Sequence, residues 1–300
     1  MKQLDNNSKV ALALSSGGAK GYAHIGVIRA IEECGAKITS IAGTSMGALV
    51  GGLYAAGKLQ EAYKWLSSID ARDVFRLADI ENFNISGFID GEKLLEKIHQ
   101  IIGDVRIEEL DIPFSAIATI LETGEEVVFT RGKLLDAIRA SISMPVLFRP
   151  FSTPDGKYHL IDGGIVNGLP INRLHRTEGD TVIAVNLDTY GYGVYASALS
   201  SKLDSLPEFI RNMLPDFMKN NGPGNLISIF LKSYDIALKQ NKWAMVKAMQ
   251  PEIYLNIDLK GYSTYNFADA ETISELGYEQ MSLLLGRAST TIITDAATKS

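Results

Sequence analysis

Twice within its first 57 residues the chain passes from a short apolar run, through a glycine-containing turn, into helix-periodic sequence. Lys9 to Ser15 (KVALALS) is closed by Ser15-Ser16-Gly17-Gly18. Gly21 to Glu33 follows, with Ile25, Ile28, Ala30 and Ile31 near helical spacing and Gly35 as a stop signal. Thr39 to Gly43 is a second short run, and a small-residue helix starting at Ser45 or Met46 extends to Ala56 before Gly57. Runs this short and this apolar suit strands buried on both faces. The pattern continues with helices over Gln60 to Ser67 and Gly91 to Ile101 and a strand over Pro113 to Leu121. Thr123-Gly124-Glu125-Glu126 turns that strand into a hairpin with Val127 to Thr130. A helix over Lys133 to Ser141, a strand end at Leu160-Ile161 and a strand over Thr181 to Leu187 complete it. Strand–helix alternation of this kind predicts an α/β fold with a largely parallel sheet covered by helices.

After Asp188 the character changes. Residues 189–224 are rich in Tyr, Ser, Gly and Pro, and Pro207, Pro215 and Pro223 suggest a lid or connector. Asn225 to Met249 reads as a long helix. On it Ile227, Leu231, Tyr234, Leu238, Met245 and Met249 share one face, and Lys232, Asp235, Lys239 and Lys242 the other. Residues 202–250 carry seven Lys/Arg against four Asp/Glu. Such a segment packs on a core with its charged face in water, or docks on an anionic lipid surface. A strand over Glu252 to Ile257 and a helix from Asp269 close the chain. The whole is expected to be one catalytic domain over residues 9–290, with the lid and amphipathic helix at 190–250.

Charge and cysteine content remove several function classes. The 300 residues carry a net charge of −6, so the basic footprint of a nucleic-acid binder is missing. Cys34 is the only cysteine, so neither an internal disulfide nor a cysteine metal cluster is expected. The N-terminal MKQLDNNSKVALAL lacks the pattern of a signal peptide. Ile41 to Gly57 is uncharged and contains a GxxxG, but it falls short of the ~20 residues that span a bilayer. A cytoplasmic location is expected, with peripheral contact to a membrane at most, and the composition leaves room for a homo-oligomer.

Three glycine motifs carry the chemistry. Gly43-Thr44-Ser45-Met46-Gly47 is a GxSxG between a strand and a helix. Such an elbow exposes its serine at the sheet edge, at the positive end of the following helix. A plain turn or helix cap is the competing reading, since Thr and Ser are good N-caps. Ser16-Gly17-Gly18-Ala19-Lys20-Gly21 follows the first strand. It is neither a dinucleotide fingerprint nor a Walker loop, because Ser16 and Gly21 break those spacings. A structural turn, a phosphate cradle and an oxyanion hole for Ser45 stay open. Asp162-Gly163-Gly164 is a turn on its own terms, placed where catalytic carboxylates gather.

A conventional triad needs a histidine after its acid. Only His175 follows Asp162, in the basic stretch Arg173-Leu174-His175-Arg176, and His24, His99 and His159 stand elsewhere. The sequence leans towards a Ser–Asp dyad with Asp162 as direct base. Together, Ser16–Gly21, Gly43–Gly47 and Asp162-Gly163-Gly164 resemble the patatin-like phospholipase family. So do Ala23–Ile28, Arg139–Pro145 and Asn167–Ile171, and the resemblance covers roughly residues 9–190. It implies a three-layer α/β/α sandwich with a mainly parallel sheet, and hydrolysis of lipid acyl esters. By the same resemblance Ser45 is the nucleophile, Asp162 the base, and Gly17, Gly18 and Ala19 the oxyanion loop, with no metal or cofactor. Ser16 departs from the glycine that many members have there. A non-catalytic scaffold on the same fold and a Ser-His-Asp esterase using His175 are the alternatives.

Overall fold

The computed structural model describes residues 4–68, 92–145, 148–188, 226–262 and 267–286. The lid or connector expected at 190–224 and the start of the helix at Gly91 lie outside them. Among the described residues eight strands form one sheet: β1 (Lys9–Leu14), β2 (Lys37–Thr44), β3 (Phe114–Ile120), β4 (Glu126–Phe129), β5 (Phe151–Ser152), β6 (His159–Asp162), β7 (Thr181–Asn186) and β8 (Ile253–Asn256). The order is β5-β6-β3-β2-β1-β7-β8, with β4 paired to β3. The five strands from β3 to β8 run parallel, and β4, β5 and β6 add antiparallel pairs on the β3 side. The two-residue β5 was not legible as a strand in the sequence.

The helices are α1 (Ala23–Glu33), α2 (Met46–Ala55), α3 (Leu59–Ser68), α4 (Glu92–Ile102), α5 (Leu134–Ser141), α6 (Gly164–Asn167), α7 (Leu226–Met249) and α8 (Ala270–Leu284). They divide the core into unequal halves. Alternation along β1 sends Val10, Leu12 and Leu14 to one side, where Ile28 and Ile31 of α1, Val50 and Leu53 of α2 and Ile273 and Met281 of α8 pack on them. Ala11 and Ala13 point the other way, to a small cluster of Leu169, Ile171, Val182 and Ala184 partly covered by Met245 and Val246 of α7. Helices on both faces of a mainly parallel sheet give the expected three-layer α/β/α architecture.

Two features of this frame set up a site. β1 is paired to β2 on one side and β7 on the other, so its C-terminal end opens at the point where the strand order switches. Ligands of open α/β sheets gather there. In addition, Thr44 of β2 is level with Ile117 of β3, and Asp162 of β6 is paired with Ala118 of β3. The residue after Thr44 and the last residue of β6 therefore flank one strand at neighbouring levels.

The sequence expectation for the faces of α7 needs correction. Leu238 and Met245 do turn inward, but so does Lys242, which is 3% exposed. Ile236, Trp243 and Met249 are exposed. Polar contacts with buried loops, described below, add to the apolar packing in setting how this helix sits.

Candidate active site

The elbow after β2 is built by two glycines at backbone-to-backbone contact. A Cβ on Gly43 would stand 2.3 Å from the Gly47 carbonyl oxygen, and one on Gly47 would stand 2.3 Å from that of Leu14. Only glycine lets α2 start this close to the ends of β1 and β2. Between them Ser45 adopts φ 56°, ψ −123°, a strained backbone for a residue with a Cβ. Ser45 is the N-cap of α2, yet its side chain makes no capping hydrogen bond. Its hydroxyl lies toward the Asp162 carboxyl and pulls that group's pKa down. The backbone is held in this shape from below: the Ser45 N–H donates to Ser141 Oγ at 2.9 Å, and Thr44 Oγ1 donates to the Asn167 carbonyl at 2.7 Å.

Asp162 closes β6 and is 3% exposed. Burial pushes its pKa up to about 6, against the opposing pull of the Ser45 hydroxyl, the Gly164 N–H and the Lys242 ammonium. The Gly164 N–H donates to Asp162 Oδ1 at 2.7 Å, and the Asp162 N–H donates to the Ser143 carbonyl at 2.9 Å. Gly163 is required by packing: a Cβ there would approach the Ile117 carbonyl oxygen to 2.3 Å. The Asp-Gly-Gly turn is thus pressed onto β3, beside the strand that delivers Ser45.

The loop after β1 reaches the same place. Gly18 has φ 55°, in the left-handed region that favours glycine, and Gly18–Tyr22 forms a short 3-10 turn. At Gly21 a Cβ would stand 2.4 Å from Met46 Cβ, so the turn leans on the residue that follows Ser45. Ser16 is 4% exposed, and its hydroxyl has no hydrogen-bond partner among the described residues. The point where a Gly164 Cβ would lie is 3.0 Å from Asp162 Oδ1 and 3.4 Å from Ser16 Oγ, so both groups lie against Gly164. The Ser16–Gly21 loop, the Ser45 elbow and the Asp162 turn therefore adjoin one another.

Two of the four histidines are engaged elsewhere. His24 is fully buried, its Nε2 sits 2.9 Å from the Ser15 carbonyl oxygen, and desolvation pushes its pKa down to about 4. It is a neutral prop under the glycine loop. His159 pairs with Glu122 at 2.7 Å on the surface, His175 is exposed, and His99 is on α4.

Several contributors were not singled out from the sequence. Ser141 and Ser143 fall in the Arg139–Pro145 segment that carried part of the resemblance, but nothing in it said that one holds the elbow and the other the Asp162 backbone. Lys242 of α7 is expected on a charged face in water or on an anionic lipid surface, and Asn241 carries no signal of its own in the sequence.

The comparisons with known proteins agree with this frame. The family model described as Patatin-like phospholipase matches residues 12–175, which span all three motifs. The chain belongs to the patatin-like phospholipase family. An uncharacterized NTE family protein of Mycobacterium tuberculosis is 47% identical over 183 residues, 61% of this chain and 50% of that protein. The Drosophila melanogaster neuropathy target esterase sws is 32% identical over 189 residues, 61% of this chain and 13% of that protein. The chain thus spans half or less of the length of these relatives. Among solved structures, VipD from Legionella pneumophila superimposes with a TM-score of 0.51 at 15% identity, over 95% of this chain and 67% of that one, and shares the fold.

Proposed function

We propose that this patatin-like protein is a serine hydrolase of lipid acyl esters, with Ser45 as nucleophile, Asp162 as its direct base and residues 9–290 as one catalytic domain. The observation that carries the reading is the delivery of Ser45, uncapped on its strained elbow, and of the buried Asp162 carboxyl to neighbouring levels of β3, with the Asp162 pKa pushed up to about 6 by burial. A carboxylate at its reference pKa of ~3.9 is a weak base, and raising it brings it nearer the working range of a general base. The lipid character of the substrate follows the family and the esterase named among the relatives.

In the first half-reaction Asp162 takes the Ser45 proton as Ser45 Oγ bonds to the ester carbonyl carbon. The oxygen of that carbonyl becomes negative and is held by backbone N–H groups of Gly17, Gly18 and Ala19. Each such donor is worth about 2.7–4 kcal/mol. The tetrahedral centre collapses, the alkoxy C–O bond breaks, and Asp162 passes its proton to the departing alcohol. In the second half-reaction Asp162 deprotonates a water that attacks the acyl-enzyme. The carboxylic acid leaves and Ser45 regains its proton. The strained elbow presents Ser45 without reorganisation at the moment of attack.

No helix among the described residues is long and apolar enough to cross a membrane. An encounter with a lipid surface would use the outward face of α7, with Ile236 and Trp243, rather than the buried Lys242.

A fluorophosphonate probe tests the reading together with turnover of a soluble ester and of phospholipid. Wild type is expected to label and turn over, Ser45→Ala to do neither, and Asp162→Asn to fold with turnover abolished. Near-normal turnover by Asp162→Asn would remove the dyad. His175→Ala is expected to retain wild-type rates.

A further inference from the structure

Asn241 and Lys242 are adjacent on α7, so the helix directs them about 100° apart, and they engage two different loops of the site. Asn241 Nδ2 donates to the Val166 carbonyl at 2.5 Å and the Ile165 carbonyl at 3.3 Å. Its Oδ1 accepts the Gly168 N–H at 3.2 Å. Lys242 Nζ donates to the Ser16 carbonyl at 3.3 Å and to Asp188 Oδ1 at 2.6 Å.

The segment Asn241 grips is the hub of the site. Its Asn167 carbonyl accepts the hydroxyl of Thr44 from the elbow, and its Gly168 carbonyl accepts the Ser16 N–H from the glycine loop at 2.9 Å. Its first N–H, from Gly164, goes to Asp162. The elbow, the oxyanion loop and the base are therefore referenced to one stretch of backbone, and α7 bolts that stretch and the Ser16 carbonyl from behind. The fit is close. A Cβ on Gly168 would stand 2.9 Å from Lys242 Cγ, and one on Gly164 3.0 Å from Leu238 Cδ2. A buried lysine 3% exposed carries a desolvation cost that no surface-docking role would require.

We infer that Asn241 and Lys242 are positioning residues, which hold the Asp162 turn and the oxyanion loop in register and set a cation beside the base. This rests on the Ser45–Asp162 reading above. The ionisable groups around Lys242 are Asp188 after β7, Asp162 on β6, Lys20 on the glycine loop, His24 on α1, and the Asp235–Lys239 pair on α7 itself. Of these, Asp188 takes the ammonium directly, and Asp162 feels it through space, with its pKa drawn down by it.

The test joins ester kinetics to a carboxyl-carbon NMR titration of Asp162, in protein labelled with 13C at aspartate carboxyls and assigned with Asp162→Asn. Asn241→Ala is expected to lose kcat by ten- to about a hundredfold, with KM within about twofold and the Asp162 titration in place. Lys242→Met is expected to lose kcat similarly and also to move the Asp162 titration to higher pH. Lys242→Arg, which keeps the cation, should hold it near its wild-type position. A folded Lys242→Met with an unmoved titration overturns the inference, and so does Asn241→Ala with kcat within twofold of wild type. If Lys242→Met fails to fold, Asn241→Ala alone decides. A wild type without esterase activity, but with the Lys242-dependent titration shift, would sink the functional reading and still support the cation's placement.

Discussion

The two faces of the sheet are built on opposite terms. On the α1–α2–α8 side, large aliphatic side chains pack in depth, and α1 and α8 touch backbone to backbone: a Cβ on Gly26 would stand 1.9 Å from the Ser274 carbonyl oxygen, and one on Gly277 2.1 Å from that of Ala23. On the α7 side the strands offer alanines, the apolar cluster is small, and the helix is tied down by an asparagine and a lysine. Apolar burial is non-directional and tolerates small shifts, whereas hydrogen bonds to named backbone atoms fix position. One face supplies stability and the other supplies register at the loops proposed to carry the chemistry.

Substitutions at the reacting atoms give the largest expected effects and fix the scale against which either face is judged. Ser45→Ala is expected to cut kcat/KM by at least about ten-thousandfold and to abolish probe labelling, with the melting temperature little changed. Asp162→Asn is expected to lose about a thousandfold or more in turnover. It carries a second signature. Because the folded pKa of Asp162 is raised, the native state holds a proton that the unfolded state releases, so its ionisation costs stability as pH rises from about 4 through about 6. The neutral amide removes that cost. A folded Asp162→Asn should therefore gain about 1–3 kcal/mol over wild type at pH 8, by chemical denaturation, and the gain should vanish below pH 4. His24 has the opposite sign: its folded pKa of about 4 makes stability fall as pH drops below about 6.5. The two slopes oppose each other between pH 4 and 6, and Asp162→Asn should expose the steeper His24 slope.

Matched glycine substitutions test the comparison itself. Gly26→Ala drives a methyl into the backbone of α8 and is expected to cost about 1–3 kcal/mol in stability, with kcat per folded molecule intact. Gly168→Ala pushes instead on the flexible stem of Lys242, at the hub of the site. It should cost less stability but reduce kcat by about tenfold or more. Equal effects of the two substitutions on kcat and stability would erase the division between the faces.

Much of this was legible before any coordinates, for identifiable reasons. Buried parallel strands announce themselves as short apolar runs, and the turns that must approach other backbone closely announce themselves as glycines. Gly43, Gly47 and Gly163 all meet carbonyl oxygens at distances no Cβ allows, so the motifs that gave the family also mark where backbone segments meet. What escaped the sequence was long-range and polar. Ser141 is 96 residues from Ser45, and Lys242 is 226 from Ser16. Neither has a local signature, because a serine in a helix end and a lysine on an amphipathic helix are ordinary residues until the fold supplies their partners. The helical period gave α7 its length and the inward turn of Leu238 and Met245, but not the burial of Lys242 beside them. Periodicity records which residues share a face, and the buried Lys242 joins that face through the partners the fold supplies.

The smallest expected effect lies on the outer surface of α7, where the comparison would be sharpened rather than broken. Trp243 is 51% exposed, and Lys247 Nζ lies 3.5 Å from its ring centroid, an exposed cation–π contact worth about 0.5–1 kcal/mol. The exposed ring contributes little burial, and replacing it with alanine improves helix propensity, so the terms nearly cancel. Trp243→Ala should therefore change stability by no more than about 0.5 kcal/mol and leave turnover of a soluble ester unaltered, since its neighbour Lys242, and not Trp243, touches the catalytic loops. Thermal unfolding and soluble-ester kinetics on the purified variant check both numbers. A stability loss well above 1 kcal/mol would mean that the outer face of α7 is covered by a packing partner. The sheet would then have a second apolar layer on the side assigned here to register.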